Sequence, residues 1–310
     1  MKGRIIQSTG SWYKVETPEK VLYSCKLRGQ FKIKGIKSTN PIAVGDWVDF
    51  NWEENSEMGW ITNIYERTNY IIRKSVNLSK RSHIIASNID LALLVVTLNH
   101  PRTSTGFIDR FLITCEAYHI KANLVFNKID LYTPEEIKEV DNLINQYQSI
   151  GYSCSKTSAK TLSGLDTLKD IMKDKVCLVS GHSGVGKSAL INSLDPSKDI
   201  RIGDISDVHN KGKHTTTFAQ MHSIGYGTYI IDSPGIKEFG LFDFKKEELS
   251  SYFPEMIEVS NECKYSNCTH VHEPQCAVKE AVELGYISPD RYLNYLNMLE
   301  GKEMNEKDYS

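Results

Sequence analysis

The chain has 310 residues, 40% hydrophobic and 25% charged, with a formal net charge of −2. That is the balance of an ordinary globular protein long enough for two or three domains, each able to bury a core. Met1-Lys2-Gly3-Arg4-Ile5-Ile6 opens no signal peptide, and the longest apolar run, Leu91–Val96, is too short to span a bilayer, so a cytoplasmic protein with no membrane partner is expected.

Residues 1–72 are expected to form one domain. Short β-rich runs at 13–15, 21–23, 31–33 and 47–50 are broken by turn signals such as Gly45-Asp46, a pattern that predicts a small all-β barrel. All four tryptophans, Trp12, Trp47, Trp52 and Trp60, lie here, either as barrel packing or as platforms for stacked bases. Over 1–40 nine Lys or Arg stand against Glu16 and Glu19, whereas 241–310 carries seven basic and fourteen acidic residues. The basic end suits an anionic polymer, although a plain solvated strand surface has the same composition.

From 73 to 240 apolar strands alternate with helical patterns, as a parallel sheet with crossover helices requires. Strands are predicted at 91–98, Ala122–Phe126, 152–154 and 176–179, with helices at 108–117, 134–148, Leu165–Met172 and Lys187–Leu194. A hairpin over 218–231 turns at Gly225 to Gly227. The last segment, 241–310, is predicted to be mainly helical, with one helix over 276–284 and a second starting at Ser288-Pro289.

The chemistry lies in the order of the middle motifs. Gly181-His182-Ser183-Gly184-Val185-Gly186-Lys187-Ser188 fits GxxxxGK[ST] between a strand and a helix, so its backbone N–H groups should cradle phosphates. Lys187 should reach the β- and γ-phosphates and Ser188 should ligate Mg²⁺. Asn127-Lys128-Ile129-Asp130 supplies a carboxylate able to accept from both guanine N1–H and the exocyclic amine. Ser158-Ala159-Lys160 would support the guanine O6. Thr215, Thr216 and Thr217 offer a hydroxyl to Mg²⁺, and Asp232-Ser233-Pro234-Gly235 places a carboxylate near the metal and a glycine N–H near the γ-phosphate. Base recognition therefore precedes the phosphate loop, the arrangement of a circularly permuted GTPase.

Ile236 follows this last motif where Ras-like enzymes carry a water-orienting glutamine, and its side chain can neither donate nor accept a hydrogen bond. Either His214 or a binding partner must then place the water, with slow intrinsic turnover expected.

Of seven cysteines, Cys25, Cys115, Cys154 and Cys177 are scattered and expected to be mostly core residues. Cys263, Cys268, His270 and Cys276 provide three thiolates and an imidazole, the closed set of a structural zinc site in a reducing compartment. His272 is a competing ligand.

With these motifs the chain resembles the circularly permuted, ribosome-dependent GTPases of the RsgA (YjeQ) family over nearly its whole length. The resemblance rests on the permuted order of NKID, SAK, GHSGVGKS, GKHTTT and DSPG, on AVGDWV, and on the cysteine-rich run CKYSNCTHVHEPQCAV, whose spacing selects His270. Ser233 stands where threonine is common, and Lys213 stands before His214 where arginine is. Membership implies an N-terminal OB-fold barrel, a central permuted α/β P-loop GTPase domain and a C-terminal zinc-binding domain. It also implies a monomer that binds 16S rRNA late in maturation of the 30S ribosomal subunit, near the decoding region. Hydrolysis of GTP to GDP would be stimulated by that subunit, aided by His214, and would promote departure. An alternative is an RNA-binding adaptor in which GTP is only a conformational ligand. The motif order also predicts that the DSPG switch runs directly into the zinc module.

Overall fold

The computed structural model describes residues 1–9, 11–27, 41–53, 56–74, 82–197, 219–232 and 245–301. The predicted strand at 31–33 lies outside them.

Five strands close a barrel: β1 (Lys2–Ser8), β2 (Tyr13–Glu16), β3 (Leu22–Leu27), β4 (Trp47–Asn51) and β5 (Gly59–Ile64). Their order is β1-β2-β3-β5-β4, and β4 pairs back on β1 with Gly3 opposite Val48. Alternation drives this closure, because Ile5, Tyr13, Val15, Cys25, Val48, Phe50 and Ile61 all point into one core while their strand neighbours face outward. A Cβ on Gly3 would lie 2.4 Å from the Val15 side chain and 2.9 Å from the Glu16 carbonyl, so the β1–β2 crossing needs glycine.

The tryptophans are not core residues. Trp12, Trp47 and Trp52 are half-buried and Trp60 is 44% exposed; Tyr13, Phe50 and aliphatic side chains fill the barrel, and Trp52 packs against its core. Trp47 instead carries the cations of Lys2 and Arg4 over its ring at 5.2 and 4.5 Å.

A two-stranded hairpin, β6 (Tyr70–Lys74) and β7 (Ser82–Ser87), leads into the central sheet. The barrel is fastened to it by Asp46, fully buried, whose carboxylate accepts both arms of the Arg67 guanidinium at 2.6 Å and the Ser87 hydroxyl at 2.5 Å.

The sheet continues through β8 (Leu91–Val96), β9 (Ala122–Phe126), β10 (Ser153–Lys156), β11 (Val176–Ser180), β12 (Gln220–Ser223) and β13 (Tyr229–Asp232), in the order β10-β9-β8-β11-β13-β12. All neighbours are parallel except β12 with β13, the hairpin turning at Gly225 and Gly227. Every residue of β8 and β11 is buried, as central strands covered on both faces must be. Helices α1 (Thr105–Ala117), α2 (Pro134–Ser149), α3 (Leu165–Met172) and α4 (Lys187–Leu194) make the crossovers. Ser104 caps α1 by accepting from the Phe107 N–H, and Thr133 with Glu136 forms a capping box on α2.

Barrel and sheet are one continuous surface. β1 pairs with β12, with Gln7 opposite Gln220, so an eleven-stranded sheet runs across both. Beside this seam Lys20 donates to the Tyr229 hydroxyl, which donates to Glu16.

The C-terminal module holds a 3-10 turn at Lys246–Tyr252 and helices α5 (Pro254–Ser260), α6 (Ala277–Glu283) and α7 (Pro289–Leu299). Its core of Leu249, Phe253, Met256, Val278, Ile287 and Tyr295 takes in Ile113 from α1. A buried polar cluster reinforces that docking. Arg291, wholly inaccessible, donates to Asp109 at 2.6 Å and to both oxygens of Glu255 at 2.5 and 3.1 Å. Asn294 and Tyr147 complete the shell of Asp109 at 2.6 and 2.9 Å. The motif order predicts that the module follows the DSPG switch; residues 233–244 lie outside the described ones, and the contacts that hold the module run to α1.

Mostly core, as expected, Cys25, Cys115 and Cys177 are fully buried, and Cys154, on the edge strand β10, is half-buried against the central core. Burial pushes the Cys25 thiol to about 11 and the Cys177 thiol to about 12, so neither ionises near neutrality.

Candidate nucleotide and metal sites

The motif residues that fall within the described regions gather where the parallel strands end, the edge at which such sheets bind ligands. β9 delivers Asn127, β10 delivers Thr157 and Ser158, β11 delivers Gly181, and Asp232 is the last residue of β13.

The phosphate loop is shaped by three glycines with positive φ: 141° at Gly181, 82° at Gly184 and 95° at Gly186. A Cβ at Gly181 would sit 2.3 Å from the Val95 carbonyl oxygen, and one at Gly186 would sit 2.6 Å from Asn127 Nδ2. Glycine is needed there for space as well as for φ. Lys187 opens α4, and its ammonium donates to the carbonyls of Gly181 and His182 at 2.9 and 2.7 Å. Ser183 and Gly184 are exposed at the loop's crest, Val185 is buried beneath, and Ser188 is half-buried in the first turn of α4.

The NKID segment braces this loop. Asn127 is buried and donates from Nδ2 to the Val185 carbonyl at 2.9 Å, while Thr157 donates to its Oδ1 at 3.1 Å, which fixes the amide orientation. Lys128, held at a φ of 63°, donates to the carbonyls of Gly184 at 2.6 Å and His100 at 2.7 Å. The NKID and GHSGVGKS segments, remote in sequence, are thus bonded to each other.

Asp130 is exposed, and its Oδ1 accepts the Ser158 hydroxyl at 2.5 Å. Ser158 Oγ in turn accepts the Thr161 N–H at 3.1 Å, so the carboxylate is held by a side chain that the next loop orders. The Ala159 carbonyl accepts from Ser193 Oγ at 3.3 Å, which ties the SAK loop to α4, and Lys160 is exposed beside it. His214, Thr215, Thr216, Thr217 and Gly235 lie outside the described residues, as does the side chain of Asp232.

Two groups at this site were missed in the sequence. Thr157 orients Asn127, and its position directly before SAK was the available signal. Phe107, on α1, lies against the His182 ring with centroids 4.0 Å apart, a contact between segments that no local pattern announces.

In the C-terminal module the ligating atoms of Cys263, Cys268, His270 and Cys276 all lie within 4.8 Å of one another. His270 Nδ1 is 3.4 Å from the Cys276 sulfur and 3.7 Å from that of Cys263, and the two sulfurs are 4.0 Å apart. Metal–sulfur bonds of about 2.3 Å in a tetrahedron put ligand atoms roughly 3.8 Å from each other, so the cluster fits a metal ion of that kind. His272, the competing ligand, is exposed and outside the cluster. Burial lowers the His270 imidazole, favouring the neutral ring that can ligate. The loop that carries it is pinned by Glu273, which accepts from Thr269 N–H and hydroxyl at 2.8 and 2.7 Å and from Val271 N–H at 3.0 Å. Tyr292 and Tyr295 on α7 donate to the carbonyls of His270 and Thr269, each at 2.6 Å.

A GxxxxGKS loop, an NKID segment bonded to it and their permuted order on a parallel sheet define a circularly permuted GTPase fused to a closed β-barrel. The chain belongs to the RsgA family: the RsgA GTPase model matches residues 64–242 and the RsgA N-terminal domain model matches residues 2–61. It is therefore a GTP hydrolase. It is 55% identical to the small ribosomal subunit biogenesis GTPase RsgA 2 of Bacteroides thetaiotaomicron, over 98% of this chain and 97% of that one. With the corresponding RsgA of Christiangramia forsetii the identity is 52%, over 98% of each. The YjeQ crystal structure from Thermotoga maritima superposes with a TM-score of 0.80 at 36% identity, covering 97% of both chains. YloQ, described as a circularly permuted GTPase, gives 0.73 at 29% identity over 97% of this chain and 94% of its own. No helix among the described residues is long and apolar enough to cross a membrane.

Proposed function

We propose that this protein is a cytoplasmic, monomeric GTPase that acts late in maturation of the 30S ribosomal subunit. It binds 16S rRNA through the basic barrel and hydrolyses GTP to GDP on the subunit, releasing itself or other assembly factors. The observation that carries the reading is the braced site, in which Asn127 and Lys128 hold the phosphate loop while Ser158 holds Asp130. Relatives named for small ribosomal subunit biogenesis supply the partner. In the working site Gly181 to Ser188 bind the phosphates, Ser188 and one of Thr215 to Thr217 hold Mg²⁺, Asp232 and Gly235 report the γ-phosphate, and His214 or the subunit places the water.

GTP turnover should be slow for the protein alone, rise at least tenfold with purified small subunits, and stay unchanged with large subunits. Equal rates in all three favour the adaptor reading, which Ile236 supports by offering water no hydrogen bond.

We also propose that Cys263, Cys268, His270 and Cys276 hold one structural zinc ion, and that the units 1–72, 73–240 and 241–310 are the working domains. Elemental analysis should find one zinc per chain. Stripping it with a strong chelator should lower the melting temperature by several degrees and unfold the C-terminal module, because metal binding and folding of such a site are one equilibrium. An unshifted melting curve after complete removal would refute the structural role.

A further inference from the structure

The α6–α7 turn carries a surface that nothing so far described uses. Tyr286 is 81% exposed and Leu284 64%, the two most exposed large apolar side chains among the described residues, and Leu293 follows on α7 at 54%. Their exposure is not fraying. The turn is fixed by hydrogen bonds from Tyr286 N–H to the Ala281 carbonyl at 2.9 Å and from Gly285 N–H to the Val282 carbonyl at 3.1 Å. Beneath it Ile287 is buried, and Pro289 starts the next helix. Large apolar groups held out on ordered backbone have already met much of the entropic cost of binding.

The charge around them has one sign. Glu280, Glu283 and Asp290 are exposed on the same stretch. From 277 to 300 the cations are Lys279, half-buried, and Arg291, which is wholly buried and occupied with Asp109 and Glu255.

From these observations we infer that the turn formed by Leu284, Tyr286 and Leu293 with Glu280, Glu283 and Asp290 docks a lysine- or arginine-rich protein segment of the small ribosomal subunit. The inference rests on the ribosomal reading above and deepens it. A phosphate backbone meets repulsion at three carboxylates here, whereas a basic protein segment offers ammonium or guanidinium heads for them and aliphatic stems for Tyr286 and the leucines. Tyrosine at the centre of a charged rim is also a common energetic anchor of protein interfaces. Within one particle of acidic RNA and basic protein, the two ends of the chain then take different components.

The test uses the full-length protein with a photoreactive benzoylphenylalanine in place of Tyr286, sedimented with purified small subunits and irradiated. The expected product resists ribonuclease and is destroyed by protease. In parallel, a triple variant with Glu280→Lys, Glu283→Lys and Asp290→Lys should lose about tenfold or more in subunit affinity, equivalent to about 1.4 kcal/mol, with subunit-free GTP turnover unchanged. A second variant, Leu284→Ser with Leu293→Ser, should weaken binding in the same direction. Crosslinks to rRNA, or none in a complex that sediments intact, overturn the docking surface alone. Failure of the unsubstituted protein to sediment with subunits overturns the ribosomal reading and the surface together.

Discussion

Replacing Asp130 with asparagine is expected to exchange guanine for xanthine. In the proposed site the carboxylate would accept two hydrogen bonds, from guanine N1–H and the exocyclic amine; an amide of the same size presents one acceptor and one donor. Xanthine has an oxygen where guanine has that amine, so the asparagine N–H finds a partner there. Two charge-assisted hydrogen bonds differ from mismatched ones by roughly 3 to 4 kcal/mol, or a factor of about 10² to 10³ in GTP affinity. The geometry favours a clean exchange, since Asp130 Oδ1 is held by Ser158 Oγ and the asparagine oxygen can accept the same bond. Binding of fluorescent GTP and XTP to the variant reads the result directly, and GTP selectivity retained in Asp130→Asn would remove this residue from base recognition. Lys187→Ala offers the complementary control, in which both nucleotides should be lost.

Arg291→Ala is expected to be the most destabilising single substitution away from the nucleotide. It would leave Asp109 without its cation in a fully buried place and strip Glu255 of both its donors. Breaking one partner of such a buried set costs about 3 to 5 kcal/mol, a large share of the 5 to 15 kcal/mol that typically holds a domain. The guanidinium also lies over Phe253 at 5.0 Å and near the rings of Tyr147 and Tyr152, so aromatic contact is lost with the charge. Burial alone raises the Asp109 carboxyl, and Arg291 is the main influence against it. Without Arg291 the folded-state value rises further above the unfolded one, so protonation favours the folded variant. Its deficit should therefore be largest at neutral pH and shrink as pH falls. Urea unfolding at neutral and mildly acidic pH tests both the size and the slope. A variant that also carries Asp109→Leu and Glu255→Leu should recover much of the loss.

The central domain was the most legible part of the chain because its information is local. A phosphate loop is glycine-rich at fixed spacing and an NKxD segment follows a strand, so Asp130, Gly181 and Gly186 stand out locally even with the two motifs in permuted order. The cysteine cluster is legible for the same reason. The barrel was harder. Strand β1 carries Lys2 and Arg4 among its outward residues, β5 is interrupted by Thr62 and Asn63, and neither was read as a strand; only closure against each other's neighbours gives them partners. The tryptophans were expected as barrel packing or as stacking platforms; Trp52 packs against the barrel core, while Tyr13 and Phe50 are its buried rings. Arg291 is the clearest case of information stored in tertiary structure: an arginine on a short amphipathic helix belongs by composition to solvent, and only Asp109 and Glu255, supplied by two other helices, make its complete burial tolerable.

The seam between barrel and central sheet has a consequence for the order of synthesis. Strand β1 finds β2 and β4 within the first domain, so the barrel has all its internal partners once residues 2–64 have left the ribosome. Its remaining edge must wait for Gln220, on a strand made after the phosphate loop and after the threonine cluster. Domains that emerge first generally fold first. A finished barrel then offers β12 a preformed edge, and the strand that follows Thr215 to Thr217 is threaded onto a surface already in place. A nascent chain halted before residue 220 should already hold a protease-resistant barrel, and one halted after 232 should gain protection at Gln7.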